Sequence, residues 1–186
     1  KYAVGPRKEM ATRTIFNLLG PLTNPANAKR QVMGVFHQKW VRPIAEVLKA
    51  LGSEHVMVVH SEDGLDEISI AAPTYVAELK NGEILEYKIS PEDFGIPLQS
   101  TDTIQAFDAN ESLALIKTAL EGKGKVNPAR DIVALNAGAA IYVSGIADTL
   151  AEGVNIAEDV IGGGTAKVKM SELASFTRCF MSPDSL

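Results

Sequence analysis

The sequence predicts an α/β fold, with a mostly parallel sheet flanked by helices, and three features support this prediction. Residues 31–60 have the pattern of a strand, a helix and a second strand, which is the unit of a parallel sheet. A hairpin signal at Asn81-Gly82 follows. From about residue 110 onward, apolar residues recur at helical spacing. A length of 186 residues favours one domain with its own core.

The strand–helix–strand unit follows from the spacing of its apolar residues. Residues 31–36 and 56–59 are short apolar runs, and the second is continuous, as expected for an interior strand buried on both faces. Residues 75–79 and 84–89 flank the Asn-Gly turn as the two hairpin strands. Between the first two strands, apolar side chains follow helical spacing up to Gly52, a common helix stop: Trp40, Val41, Ile44, Val47, Leu48 and Leu51.

Four helices are predicted in the second half of the chain. The helix that begins at Pro128 is rich in Ala and Gly, which allows close packing, and the glycines at 162–164 end the next one. A last amphipathic helix covers residues 165–180. Three residues are predicted to cap helix N-termini, because short polar side chains accept hydrogen bonds from free N–H groups: Asn110, Asn127 and Asp148. After Asn110, one face is expected to be apolar: Leu113, Ile116 and Leu120.

Composition and charge exclude several classes of protein. The single cysteine, Cys179, rules out an internal disulfide, and nothing points to secretion. The longest apolar stretch, residues 132–146, is too short to span a bilayer and is interrupted by Asn136, so we expect a soluble protein. Net charge is −5, yet residues 1–30 carry six basic residues and one acidic one. This basic opening indicates either an anionic ligand or a solvated helix face, and the acidic remainder disfavours nucleic acid.

The strongest candidate site is an acidic loop, residues 61–67, after the strand at 56–59. Ligands of open α/β sheets bind beyond the carboxyl ends of the strands. Carboxylates in this place suit Mg²⁺, which takes one or two of them together with water and substrate phosphates. The alternative is an ordinary solvated turn around Gly64. The loop holds four carboxylates: Glu62, Asp63, Asp66 and Glu67.

Other polar residues give weaker signals. Arg7 and Arg13 are candidate anion ligands, since a guanidinium fits a carboxylate or phosphate with two hydrogen bonds. The triple glycine lacks a phosphate-loop frame, and Cys179 has no neighbouring histidine in sequence. The histidines show no zinc spacing, and a hydrogen-bonded structural role is expected for the best placed, His60: His37, His55 and His60.

Three blocks of sequence resemble the anthranilate phosphoribosyltransferase family, in its C-terminal half, and the similarity covers essentially the whole chain. They are GPRKEMATRTIFNLLGPLTNPANAKRQVMGVF at 5–36, HSEDGLDEIS at 60–69 and LNAGAAIYV at 135–143. The resemblance implies the nucleoside phosphorylase/phosphoribosyltransferase type of fold. It also implies Mg²⁺-dependent transfer of phosphoribose from 5-phosphoribosyl 1-diphosphate to anthranilate, by a cytoplasmic homodimer of the tryptophan pathway, with no nucleic-acid or membrane partner.

The resemblance assigns roles to three residues. In the family, an Asp-Glu pair holds Mg²⁺ on the diphosphate donor, and Asp66 and Glu67 match that pair. The arginine of a Pro-Arg-Lys/Arg-Glu segment contacts the anthranilate carboxylate, and Arg7 matches it. Met10-Ala11 replaces the Leu-Gly that family members often carry. If the family glycine has a positive φ, the backbone would be strained at Ala11.

Several family segments are not among these residues, namely Gly-Thr-Gly-Gly-Asp, Lys-Asn-x-Ser-Thr and Lys-His-Gly-Asn-Arg. We therefore expect residues 1–186 to form mainly the large α/β domain, to lack most of the small helical domain, and to be inactive alone. Two alternatives remain. A pyrimidine nucleoside phosphorylase would not need the Asp66–Glu67 pair, and a noncatalytic nucleic-acid-binding relative would be expected to be basic.

Overall fold

The computed structural model describes residues 16–121 and 126–180. After helix α1 (Phe16–Leu22), four strands form one sheet in the order β1-β2-β3-β4. The strands are β1 (Arg30–Gly34), β2 (His55–Ser61), β3 (Thr74–Lys80) and β4 (Glu83–Ile89). Helix α2 (Val41–Ala50) connects β1 to β2. The predicted strand–helix–strand unit and hairpin are therefore present, and the α/β class is confirmed.

The sheet is less parallel than predicted. Strands β1 and β2 pair in parallel, whereas β2–β3 and β3–β4 are antiparallel in the described residues. A parallel pair needs a long crossover, and only α2 provides one within this sheet. The turn at Asn81 and Gly82, both with positive φ, joins β3 directly to β4. The prediction of a mostly parallel sheet is thus wrong for this part of the chain.

Both faces of the sheet are covered. Val56 and Val58 of β2 point toward α2, in a buried cluster with Ile44 and Leu48. The alternate residues of β2, Met57 and Val59, point to the opposite face and pack against the helices of the second half. Burial on both faces explains why β2 is a continuous apolar run rather than an alternating one.

Four α-helices follow the sheet in the described part of the chain: α3 (Ala109–Ala119), α4 (Pro128–Ser144), α5 (Leu150–Gly162) and α6 (Thr165–Arg178). Helices α4 and α5 pack very closely where two glycines meet. A Cβ on Gly138 would lie 2.6 Å from the backbone of Val154, and one on Gly153 would lie 2.3 Å from the Gly138 carbonyl. The close packing expected from the small residues of α4 is confirmed.

Two of the three predicted caps are displaced by one or two residues. Asn127 caps α4, as predicted. Helix α3 is capped by Asp108, whose carboxylate accepts from the N–H groups of Asn110 and Glu111, so Asn110 lies inside the first turn. Helix α5 is capped by Thr149 rather than by Asp148. In both cases another polar side chain lies within two residues of the predicted cap, and residue type alone does not distinguish the two.

The later helices leave apolar side chains at the surface of the described structure. Leu113 and Ile116 of α3 are each 44% exposed, so the face predicted from their spacing is only partly covered. No residue of α6 is buried by the part of the chain that the structure describes. Within residues 16–121 and 126–180, no helix is long and apolar enough to cross a bilayer.

Candidate functional site

The acidic loop lies where the sequence predicted it. Because β1 and β2 are parallel, their carboxyl ends lie side by side, with Gly34 opposite Val59. The chain leaves β2 at Ser61 and returns to the sheet at Thr74. Residues 62–73 therefore extend beyond the carboxyl ends of both strands, which is the usual place for ligands in α/β sheets.

The side chain of Glu62, the first carboxylate of the loop, points toward β4 and pairs with a residue of that strand. Its Oε1 accepts a hydrogen bond of 2.7 Å from Lys88 Nζ, and Lys88 also lies over the ring of Tyr75. The hydrogen bond from Lys88 lowers the pKa of Glu62 below its usual value. Glu62 thus forms a surface ion pair along the hairpin.

Asp63, the second carboxylate, holds the loop together from within. Its Oδ1 accepts from the Leu65 N–H at 3.2 Å, and its Oδ2 accepts from Ser69 Oγ at 2.5 Å. Partial burial would raise the pKa of Asp63, but these hydrogen bonds outweigh burial and lower it. Gly64 beside it has a φ of 94°, which glycine adopts without strain. Asp63 is therefore a structural carboxylate.

Asp66 and Glu67 differ from the other two carboxylates. Both are exposed, and no group in the described residues forms a hydrogen bond or ion pair with either side chain. In the same part of the chain, no cluster of three or more His, Cys, Asp or Glu residues could hold a metal by itself. Two unpartnered carboxylates do fit Mg²⁺, since this ion commonly binds one or two carboxylates and keeps water and phosphate as its other ligands.

Two residues from other elements contact this loop in a way that the sequence did not predict, and the first is Gly34 of β1. A Cβ built on Gly34 would lie 1.5 Å from the Asp66 carbonyl oxygen. Only a residue without a side chain permits so close an approach of the two backbones. The signal in the sequence was a glycine at the end of a strand, which by itself also fits an ordinary turn.

Asn136 is the second residue that contacts the loop from another element. This residue of α4 makes two hydrogen bonds to the backbone of Ile68, which directly follows Glu67. In the sequence, Asn136 only interrupts an apolar stretch. A polar residue within the apolar part of a helix is the signal, because a partly buried amide needs hydrogen-bond partners.

A cavity of about 410 Å³ opens beside the carboxylate pair. Asp66 and Glu67 line its edge, and its walls are mainly apolar side chains of α3 and α4: Leu115, Ile116, Ala119, Ala129, Ile132 and Val133. A larger depression of about 680 Å³ lies elsewhere, between α2 and the hairpin. In that depression, Arg42 is paired with Glu46 and Glu86. The smaller cavity is the one that adjoins the candidate metal ligands.

The histidines have separate environments. His60 has its Nδ1 2.8 Å from the Val35 carbonyl, in agreement with a structural role, and stacks at 6.3 Å on His37. His55 is buried and lies 2.8 Å from Glu78. Arg7 and Arg13 lie outside the described residues, so the assignment of Arg7 stays a prediction.

The chain is a glycosyl transferase domain by its match to a known protein family. Residues 1–167 match a family model described as the a/b domain of a glycosyl transferase family, and the chain belongs to that family. It is 96% identical over 186 residues to an anthranilate phosphoribosyltransferase of Marinomonas sp. (strain MWYL1), a match that covers 100% of this chain and 54% of that protein.

Solved structures agree with this relationship. Anthranilate phosphoribosyltransferase from Thermus thermophilus has a TM-score of 0.84 and 39% identity, over 94% of this chain and 51% of its own. The Saccharomyces cerevisiae enzyme in complex with PRPP and Mg shares the fold, with a TM-score of 0.79 and 24% identity over 91% and 48%. The resemblance is confirmed, and the chain spans about half the length of the relatives it matches.

Proposed function

We propose that the full-length protein transfers the phosphoribosyl group of 5-phosphoribosyl 1-diphosphate to the amine of anthranilate. The products are N-(5-phosphoribosyl)anthranilate and pyrophosphate, as a step of tryptophan biosynthesis in the cytoplasm. The observation that carries this proposal is the 96% identity to an anthranilate phosphoribosyltransferase along the whole chain. The proposal is also supported by two exposed carboxylates beyond the ends of two parallel strands, Asp66 and Glu67, which have no partner within residues 16–121 and 126–180.

Asp66 and Glu67 are the proposed ligands of Mg²⁺ on the donor diphosphate. When bound, the ion neutralises the charge that develops on the departing pyrophosphate. The two side chains present oxygen ligands at a fixed place beyond the sheet, while Glu62 and Asp63 are engaged elsewhere. The attacking amine is an aromatic amine and a weak base, so positioning of the two substrates contributes more than base catalysis. No residue of this chain is assigned as a catalytic base.

Arg7 is the proposed contact for the anthranilate carboxylate. Its guanidinium can donate two parallel hydrogen bonds to a benzoate-type carboxylate. Replacement by alanine should raise the KM for anthranilate by about tenfold or more, the effect of losing a charge-assisted hydrogen bond. The matched control is Lys8→Ala, which removes the neighbouring positive charge and should leave this KM within about twofold. An unchanged KM in the Arg7 variant would remove the assignment.

The rest of the active site is proposed to lie in the half of the relatives' length that this chain does not span. Residues 1–186 then form mainly the large α/β domain, and most of the small helical domain and the glycine-rich donor loop belong to the other half. We expect residues 1–186 alone to show no turnover. The full-length protein is expected to be a homodimer, which light scattering after size exclusion would test.

The direct test is product formation by the full-length protein. Anthranilate and 5-phosphoribosyl 1-diphosphate should be consumed together in the presence of Mg²⁺, with release of pyrophosphate. Phosphorolysis of a pyrimidine nucleoside without anthranilate turnover would contradict the proposal. So would nucleic-acid binding without any turnover, although a net charge of −5 disfavours it.

A further inference from the structure

The chain that follows the carboxylate pair is held by a single side chain from another element. Ile68, directly after Glu67, is 1% exposed, and both of its backbone polar groups bond to Asn136. The Ile68 N–H donates to Asn136 Oδ1 at 3.0 Å, and Asn136 Nδ2 donates to the Ile68 carbonyl at 2.9 Å. A side-chain amide here takes the place of a neighbouring strand.

A third hydrogen bond fixes the orientation of this amide. Asn136 Nδ2 also donates to the Ile132 carbonyl, one turn earlier in α4, at 3.0 Å. The NH₂ group thus donates both of its protons to carbonyls, while the oxygen accepts from an N–H, so a flipped amide would lose all three bonds. Asparagine has only modest helix propensity, and its partners in the loop give it a reason to occupy this interior position.

The opposite side of the loop is held by a backbone contact. The Asp66 carbonyl lies against Gly34 of β1, where a Cβ would be only 1.5 Å away. Beneath the loop, Ile68 and Ile70 are fully buried in the same apolar cluster as Leu135 of α4. The carboxylate pair is thus exposed on a segment whose backbone is fixed on either side by β1 and by α4.

We propose that Asn136 is a positioning residue for the metal site, which holds the backbone at Ile68 so that Asp66 and Glu67 face the donor diphosphate together. This inference rests on the proposed function, because it assumes that the pair binds Mg²⁺. Outer partners of metal ligands commonly change metal affinity about 10- to 100-fold when they are removed.

The test compares three variants in the full-length protein. Asn136→Leu removes all three hydrogen bonds and keeps the branched shape of the side chain, and Asn136→Ala is the second variant in case the larger leucine does not fit. The matched control is Val154→Ala, which removes volume from the same core on α5 and leaves the three hydrogen bonds of Asn136 in place. Two quantities are measured: hydrogen exchange of the Ile68 N–H without metal, and the Mg²⁺ concentration that half-saturates binding of 5-phosphoribosyl 1-diphosphate.

Both Asn136 variants should exchange the Ile68 N–H at least about tenfold faster than wild type and need about tenfold more Mg²⁺ for half-saturation. Val154→Ala should lower thermal stability and leave both quantities within about twofold. Folded Asn136 variants with wild-type Mg²⁺ dependence, or with no larger shift than Val154→Ala, would overturn the positioning role.

Failure of the underlying function has a different signature. The double variant Asp66→Asn, Glu67→Gln should lose the Mg²⁺ dependence of donor binding. If it keeps the wild-type dependence, the metal role of the pair is wrong, and the role of Asn136 is wrong with it. If the double variant loses the dependence while the Asn136 variants keep it, only the positioning role is overturned.

Discussion

At the residue scale, Gly34 determines how near β1 and the acidic loop can approach each other. The Asp66 carbonyl occupies the space that a side chain on Gly34 would need. The clash of an added Cβ would be with backbone, which cannot rotate away as a flexible side chain can. Any larger residue at this position must therefore move Asp66, the first of the two proposed metal ligands.

Gly34→Ala should accordingly weaken Mg²⁺-dependent binding of the donor by at least about tenfold, and a displacement of about 1 Å can lower turnover about 100-fold. Calorimetric titration of the full-length protein measures the binding. Val32→Ala is the control, because it removes methyl groups from the same strand and adds no atom against Asp66. Equal donor affinity in the Gly34 variant and wild type would contradict this account of the loop.

A buried carboxylate at the other end of the sheet stabilises the fold rather than the site. Glu78 is 8% exposed, and its Oε1 lies 2.8 Å from His55 Nε2 and accepts from Tyr142 at 2.7 Å. Its Oε2 accepts from the Tyr87 hydroxyl at 2.8 Å. Burial raises the pKa of Glu78, but these hydrogen bonds outweigh burial and lower it, while burial and the Glu78 charge raise the pKa of Tyr87.

The sign of the pH effect follows from the lowered pKa of Glu78. A carboxyl whose pKa is lower in the folded state contributes stability above its unfolded pKa and loses that contribution as pH falls through the folded value. Glu78→Gln should therefore lower the unfolding free energy at pH 7 by about 1–3 kcal/mol and reduce its further loss between pH 7 and about pH 3. Urea unfolding at both pH values measures this.

The control for this pH effect is Glu83→Gln, an exposed carboxylate on the same hairpin. It should change the unfolding free energy by less than about 0.5 kcal/mol at either pH. A Glu78 variant that loses stability in acid as steeply as wild type would show that the acid sensitivity arises elsewhere.

The position of the four loop carboxylates beyond a strand end could be predicted from the sequence, but the separate role of each carboxylate could not. An apolar strand followed by acidic residues indicated a site beyond the strand end. Glu62 pairs with Lys88 of β4, and Asp63 pairs with Ser69 at the far end of the loop. Both pairs depend on how the chain folds back on itself, which the local sequence pattern does not indicate. The choice of Asp66 and Glu67 came from family resemblance, and Gly34 and Asn136 act through contacts distant in sequence.

At the scale of elements, α4 and α5 cross with their backbones in close contact. Gly138 and Gly153 allow the two backbones to touch, and an added Cβ at Gly138 would lie 2.6 Å from the Val154 backbone. Because α4 also carries Asn136, this crossing supports the helix that holds the acidic loop.

Gly138→Ala should separate the two helices and lower the unfolding free energy by about 1–3 kcal/mol, the usual range for overpacking. Thermal unfolding of the variant checks this value. Ala140→Ser, at an exposed position of the same helix, should stay within about 0.5 kcal/mol of wild type. If the Gly138 variant unfolded at the same midpoint temperature as wild type, the backbones of α4 and α5 would be farther apart than described.

Elements were predicted more reliably than their ends and directions. A continuous apolar run predicted β2, helical spacing of apolar residues predicted α2, and the Asn81-Gly82 turn signal predicted the hairpin. The predicted caps Asn110 and Asp148 lie two residues and one residue from the observed caps, Asp108 and Thr149, since nearby polar residues are equally suitable by type. Strand direction between β2 and β3 depends on how residues 62–73 fold back over the sheet, and that path carries no periodic signal.

At the scale of the whole molecule, the described structure forms one wall of a proposed two-walled site. The carboxylates Asp66 and Glu67 lie beside an apolar cavity and line part of it. The chain spans about half the length of its relatives, so the groups that bind the rest of the donor are proposed to come from the other half. The central claim is that these two carboxylates hold Mg²⁺ on the donor.

The most direct measurement is calorimetric binding of 5-phosphoribosyl 1-diphosphate to the full-length protein over a range of Mg²⁺ concentrations. Wild type and Glu62→Gln should bind the donor more tightly as Mg²⁺ rises, because Glu62 is paired with Lys88 and lies outside the metal site. The double variant Asp66→Asn, Glu67→Gln should lose at least about tenfold in Mg²⁺-dependent affinity. Donor binding by the double variant that matches wild type at every Mg²⁺ concentration would contradict the claim.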